Sequence, residues 1–179
     1  DRRFALVNSA IGERIDEALQ WLSDRQSEEK KGERGYRHLN EAINARFKYL
    51  QKRYLLEAIK ATEAVPIVKE HLKLGRKVVV FHDYKKGGGF NPFIVEKPAG
   101  LEDGWTLSDE EMGQFTGALA EFNSKFKDLI NSDLADMDSP IEVFTRELPG
   151  VLLINGDQKK SDLLKRYKSF QSDDSGPQV

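Results

Sequence analysis

The chain has 179 residues, of which 39% are hydrophobic and 32% charged, with a formal net charge of -2 and no cysteine. A chain of this length buries roughly 70% of its unfolded surface, so a core forms without disulfide or metal staples. The near-neutral charge excludes a globally basic nucleic-acid coat. The absence of cysteine removes disulfides, thiolate nucleophiles, zinc fingers and iron–sulfur clusters, and fits a cytosolic protein.

The first element is an amphipathic helix. Phe4, Val7, Ile11, Ile15, Ala18, Leu19 and Leu22 recur at spacings of three and four, one apolar stripe. Residues 23–35 hold no large apolar side chain and two glycines, and read as a solvated loop. A second stripe follows at Tyr36, Leu39, Ile43, Phe47, Leu50, Tyr54 and Ala58, which predicts a helix paired with the first as a hairpin. A further helical stretch runs to about Leu74, with Val65, Val68 and Leu72 inward. Pro66 is expected in a first turn or at a kink, and Gly75 as the C-cap.

Two short apolar runs come next, Lys77–Phe81 and Val151–Ile154. The first holds three valines and a phenylalanine, the second is Val-Leu-Leu-Ile, and both have the length of core strands. No apolar run approaches the ~20 residues of a membrane helix. Gly87-Gly88-Gly89 opens a long loop through Pro92, Pro98, Gly100 and Gly104. Ser108 with Glu111 three residues later is a capping box. Its helix carries Met112, Phe115, Leu119, Phe122, Phe126, Leu129 and Ile130. Ser139-Pro140 predicts a short helix over Pro140–Leu148. A basic helix follows from about Lys159 to Phe170. Helix, strand, helix, strand, helix from Thr62 onward predicts an α/β fold with both runs parallel in one sheet and Phe115, Leu119, Phe122 and Phe126 packed on it. Two strands are too few for a stable sheet. The chain opens on Asp1 without an initiator Met, and Pro177-Gln178-Val179 reads like the start of another strand. Both features lead us to expect a segment of a longer protein.

The chemistry-bearing residues are sparse. Gly87–Gly89 lacks the G-x-x-x-x-G-K-[ST] spacing of a phosphate loop and reads as a mobile loop. Asp16-Glu17 lies mid-helix, not at the end of an apolar strand. His38, His71 and His82 show no ligand spacing, and no Ser/His/Asp set stands out. Charge is uneven: residues 101–138 carry ten acids against two bases, and residues 159–168 five bases against one acid. The two strand ends remain. One leaves through His82-Asp83-Tyr84-Lys85-Lys86 and the other through Asn155-Gly156-Asp157-Gln158-Lys159-Lys160. Ligands of open parallel sheets bind beyond the carboxyl ends of strands, and lysines beside a helix N-terminus suit phosphate.

Gly75-Arg76-Lys77-Val78-Val79-Val80-Phe81 resembles the first helix-to-strand passage of the second RecA-like lobe of superfamily-two helicases. Leu152-Leu153-Ile154-Asn155-Gly156-Asp157, continuing to Phe170, resembles the next strand, turn and helix of that lobe. His82-Asp83-Tyr84-Lys85-Lys86-Gly87 and the acidic helical insertion are similar to Strawberry-notch-type and phage antirestriction-type helicases, relatives of the Swi/Snf translocases. The resemblance covers about Thr62–Val179.

It implies a helical hairpin or connector over residues 1–61 and an incomplete RecA-like parallel sheet with flanking helices over 62–179. It further implies a bacterial or phage-encoded cytoplasmic motor that acts on nucleic acid, in the first instance DNA. ATP and magnesium would be bound by the full-length protein together with a first RecA-like lobe, and no cofactor by this segment. His82, Asp83, Tyr84, Lys85, Lys86, Gly156, Asp157, Gln158, Lys159 and Lys160 would then be the nucleic-acid contacts, with no catalytic or metal residue. Many relatives have an Arg seven residues after the glycine, where this chain has Leu163. The alternative is a non-catalytic interaction module that uses the stripe at residues 36–58.

Overall fold

The computed structural model describes residues 9–83, 87–98, 107–154 and 158–172. Among the described residues there are seven α-helices: α1 (Ala10–Glu28), α2 (Gly35–Arg46), α3 (Tyr49–Lys73), α4 (Asp109–Lys125), α5 (Lys127–Ile130), α6 (Pro140–Glu147) and α7 (Lys160–Gln171), with a 3-10 turn at Asp133–Ala135. None is long and apolar enough to cross a membrane.

The α/β expectation is overturned, because no β-strand forms among the described residues. Lys77–Phe81 and Val151–Ile154 are not joined by any backbone ladder. The reason lies in what apolar runs report. A short β-branched run signals burial, and periodicity alone does not say what buries it. Here Val78, Val80 and Val151 pack against Ala61, Val65 and Val68 of α3 and Val143, Phe144 and Leu148 at α6. Helix faces thus bury these side chains without a sheet. Phe115, Phe122 and Phe126 pack elsewhere, in the helical core described next.

That core is built by α1, α2, the first half of α3, α4 and α5, with Phe93 and Val95 from the connecting segment. Four rings meet at its centre. Phe122 lies 5.0 Å from Phe126, 5.8 Å from Phe93 and 6.0 Å from Trp21, centroid to centroid. Such tilted contacts add about 0.5–1.5 kcal/mol per pair beyond area burial. The two stripes read from the sequence supply Ile15, Ala18, Leu22, Leu39, Ile43 and Phe47 as buried members.

Three helix boundaries differ from the expectation. α1 starts after its N-cap Ser9, whose Oγ accepts from Gly12 N at 3.0 Å, and it continues to Glu28. Local pairs extend it through the polar stretch: Gln20 Nε2 donates to Asp24 at 2.7 Å and Arg25 pairs with Glu28 at 3.3 Å. The second stripe is two helices, broken at Phe47 and Lys48. Phe47 stays buried, whereas Leu50 on the new helix is 49% exposed. α3 then runs 25 residues, about 37 Å at 1.5 Å per residue, with Pro66 inside it. Pro66 lies on the exposed face and leaves the helix unbroken. α3 therefore spans both apolar clusters and carries the chain from one to the other.

The capping signals were met. Glu111 N donates to Ser108 Oγ at 3.3 Å, and Ser108 N to Glu111 Oε2 at 3.1 Å. These bonds hold the Glu111 carboxyl below its ordinary value. Ser139 N donates to Glu142 Oε2 at 2.9 Å ahead of Pro140. Gly75 has φ +69°, and its N–H donates to Leu72 O at 2.9 Å, closing α3.

The glycine run is a packing device. Gly89 N donates to Met137 O at 2.6 Å, and a Cβ on Gly89 would sit 2.3 Å from Leu134 O and 2.4 Å from Met137 N. A Cβ on Gly87 would lie 3.0 Å from Tyr54 Cα. The run is threaded between α3 and the turn at Asp133–Ala135, with no room for side chains at two of its three positions. Buried Asn91 ties the following residues down, donating to Leu129 O at 2.8 Å and accepting from Phe93 N at 3.0 Å.

Candidate nucleic-acid interface

α7 is the most exposed helix of the fold and none of its residues is buried. Leu163, Arg166, Ser169 and Phe170 turn toward the body, and the remaining positions face water. Polar anchors hold it. Arg166 Nη1 donates to Leu153 O at 2.5 Å, and Gln158 Nε2 to the same oxygen at 2.7 Å. Lys77 Nζ donates to Phe170 O at 2.6 Å and Ser172 O at 2.7 Å, and lies 5.6 Å from the Phe170 ring centroid. A cation at a helix C-terminus satisfies carbonyls that have no partner within the helix and complements the dipole.

These anchors tie the start of the first apolar run and the body of the second to α7. Lys77 meets the C-terminal end of α7, and Leu153 meets its N-terminal side. Val78, Val80 and Val151 share the second apolar cluster. Lys159 is the N-cap of α7 and Lys160 its first residue, both exposed. Lys159, Lys160, Lys165 and Lys168 have no carboxylate partner among the described residues, and the single acid of the helix is Asp162. Among the described residues this is a cluster of exposed cations without carboxylate partners.

The other expected contacts fall differently. Asp83 is paired with Arg53 Nη2 at 2.6 Å, and its backbone N–H donates to Glu57 at 3.3 Å, so it is tied to α3. His82 turns inward, its ring 6.5 Å from that of Phe144, with Nδ1 buried and unpartnered. Neither offers a group to phosphate. Gln158 spends its amide on Leu153 O and serves to position α7. Tyr84, Lys85, Lys86, Gly156 and Asp157 lie outside the described residues.

Reading by motif left out Lys165 and Lys168, which the charge run at 159–168 signals, and the anchoring roles of Lys77 and Arg166, which depend on tertiary contact.

Two open hollows, of about 480 Å³ between α1, α2 and α4 and about 550 Å³ between α3 and α6, are lined by charged side chains, among them Arg25 paired with Glu28 and Glu121, and Lys69 with Glu147. No group of three or more His, Asp or Glu side chains converges as a metal site among the described residues. Comparison with protein-family models, with curated proteins and with solved structures finds no match for this chain.

Proposed function

We propose that this chain is a nucleic-acid-contacting segment of an ATP-driven helicase or translocase, and that α7 with Lys159 is its backbone-contact surface. One observation carries the reading: a basic helix without buried residues, with its N-cap, presents four lysines that have no carboxylate partner among the described residues. Solvent-facing lysines along one helix are the usual means of sequence-independent phosphate contact. The motor assignment rests on the sequence resemblance of Gly75–Phe81 and Leu152–Asp157 alone, since neither run forms a strand among the described residues. The charge argument is independent of any sheet. ATP, magnesium and catalysis belong in this reading to the rest of the motor.

The experiment is a binding titration of labelled single- and double-stranded DNA with the chain and with a variant carrying Lys159→Ala, Lys160→Ala, Lys165→Ala and Lys168→Ala. Weak, salt-sensitive binding that the variant loses supports the reading. Equal binding by both refutes α7 as the contact surface.

A further inference from the structure

The segment Lys77–Asp83 has a property that its neighbours lack. Its burial alternates with period two. Val78, Val80 and His82 turn inward, whereas Lys77, Val79, Phe81 and Asp83 turn outward. That is the side-chain pattern of an extended chain. The outward face is apolar at its middle, with Val79 58% and Phe81 91% exposed. No backbone N–H or carbonyl of Val78–His82 has a hydrogen-bond partner among the described residues. A row of unpaired backbone groups beneath exposed apolar side chains is a template for pairing with another chain.

The sequence of the segment specifies the occupant. Antiparallel pairing of two copies about a two-fold axis through Val80 sets Val79 opposite Phe81 and Lys77 opposite Asp83, all on the outward face. Val78 then faces His82 on the inward face. A β-branched residue against an aromatic, and opposite charges directly across, are both favourable cross-strand pairs. Parallel in-register pairing would instead set lysine on lysine and aspartate on aspartate. Two of the three Lys77 donors go to Phe170 O and Ser172 O and Asp83 Oδ2 accepts from Arg53, which leaves one donor and Oδ1 for the cross-strand pair.

We infer that Lys77–Asp83 is a self-complementary edge through which two copies of this chain associate antiparallel. Such a two-fold contact is isologous, so it stops at a dimer. Seven residues per copy make a small interface, below about 1,200 Å² in total, which is the size of weak and transient contacts. This inference needs neither the α7 lysines nor phosphate, although Lys77 at one end of the edge also anchors the end of α7.

The test exploits the absence of native cysteine. Val79→Cys and Phe81→Cys are made separately, on chains distinguishable by mass, and oxidised alone and mixed. Both positions face solvent, so folding is unaffected. The register places residue 79 of one copy opposite 81 of the other, so the mixture should form a disulfide-linked heterodimer at least several-fold faster than either variant alone. In parallel, light scattering of the unmodified chain should show mass rising toward the dimer between low micromolar and near-millimolar concentration, and Phe81→Asp should abolish the rise. A chain that stays monomeric throughout, or cross-linking with no preference for the mixture, overturns the inference.

Discussion

Gly88 and Gly89 are adjacent, yet alanine at the two positions should have opposite effects. Neither has a positive φ, so backbone strain does not distinguish them. At Gly88 the nearest atom to an added Cβ is Met137 O at 3.5 Å, an ordinary contact. Gly88→Ala should then gain about 0.4–1 kcal/mol by restricting the unfolded chain. At Gly89 the same Cβ would lie 2.3 Å from Leu134 O and 2.4 Å from Met137 N, both backbone atoms that cannot rotate away. Relief requires the segment to move off the turn at Asp133–Ala135, stretching the 2.6 Å bond from Gly89 N to Met137 O. Overpacking of this kind costs about 1–3 kcal/mol, and the lost bond adds about 1. Urea unfolding followed by circular dichroism should therefore separate the two variants by at least about 2 kcal/mol at unchanged m-value. Equal stability of Gly88→Ala and Gly89→Ala would refute the threaded-glycine account and restore a free loop.

Further outcomes follow from the core and the caps. Phe122→Ala removes a fully buried ring from the four-ring centre and should cost about 3–5 kcal/mol in the same unfolding assay. Ser108→Ala should cost about 0.5–2 kcal/mol through loss of the α4 cap. Glu111 and Glu142 are held below their ordinary value near 4.5 by bonds from Ser108 and Ser139. Their contribution is present above that value and is lost as pH falls through the folded-state values, so the unfolding midpoint should drop on the acid side and less so in Ser108→Ala. Tyr36 is pushed up to about 12 by burial and by its bond to Glu121. Stability from this group is full below pH 10 and fades as pH rises toward 12. Glu121→Gln should lower the ionisation midpoint of Tyr36, read as the tyrosinate absorbance difference from Tyr36→Phe.

The helices were legible where local chemistry decides them. Ser108 with Glu111, Ser139 with Pro140, and Gly75 after α3 mark ends that the backbone itself requires. The stripes through Ile15, Leu22, Leu39 and Ile43 name core residues because burial follows the helical period. Apolar runs were not legible in the same way. Val78-Val79-Val80 asks for burial, and the faces of α3 and α6 meet that demand for alternate residues without a ladder. Gly87–Gly89 was misread because its meaning lies in Leu134, Met137 and Tyr54, which are remote in sequence. Of the interface, the cations were visible as a charge run. The contacts that orient them, Lys77 to the end of α7 and Arg166 to Leu153, join residues up to 95 positions apart, and the ion pair that ties Asp83 to α3 depends on Arg53, 30 positions away.

The most direct test of the α7 assignment is the slope of log affinity against log salt concentration for DNA binding. Each phosphate neutralised contributes about 0.9 to this slope on duplex and about 0.7 on single strands. If Lys159, Lys160, Lys165 and Lys168 each meet one phosphate, replacing all four by alanine should flatten the slope by roughly 3 to 4 on duplex DNA. A variant that keeps the parent slope, at whatever affinity, would contradict the claim that α7 meets the nucleic-acid backbone.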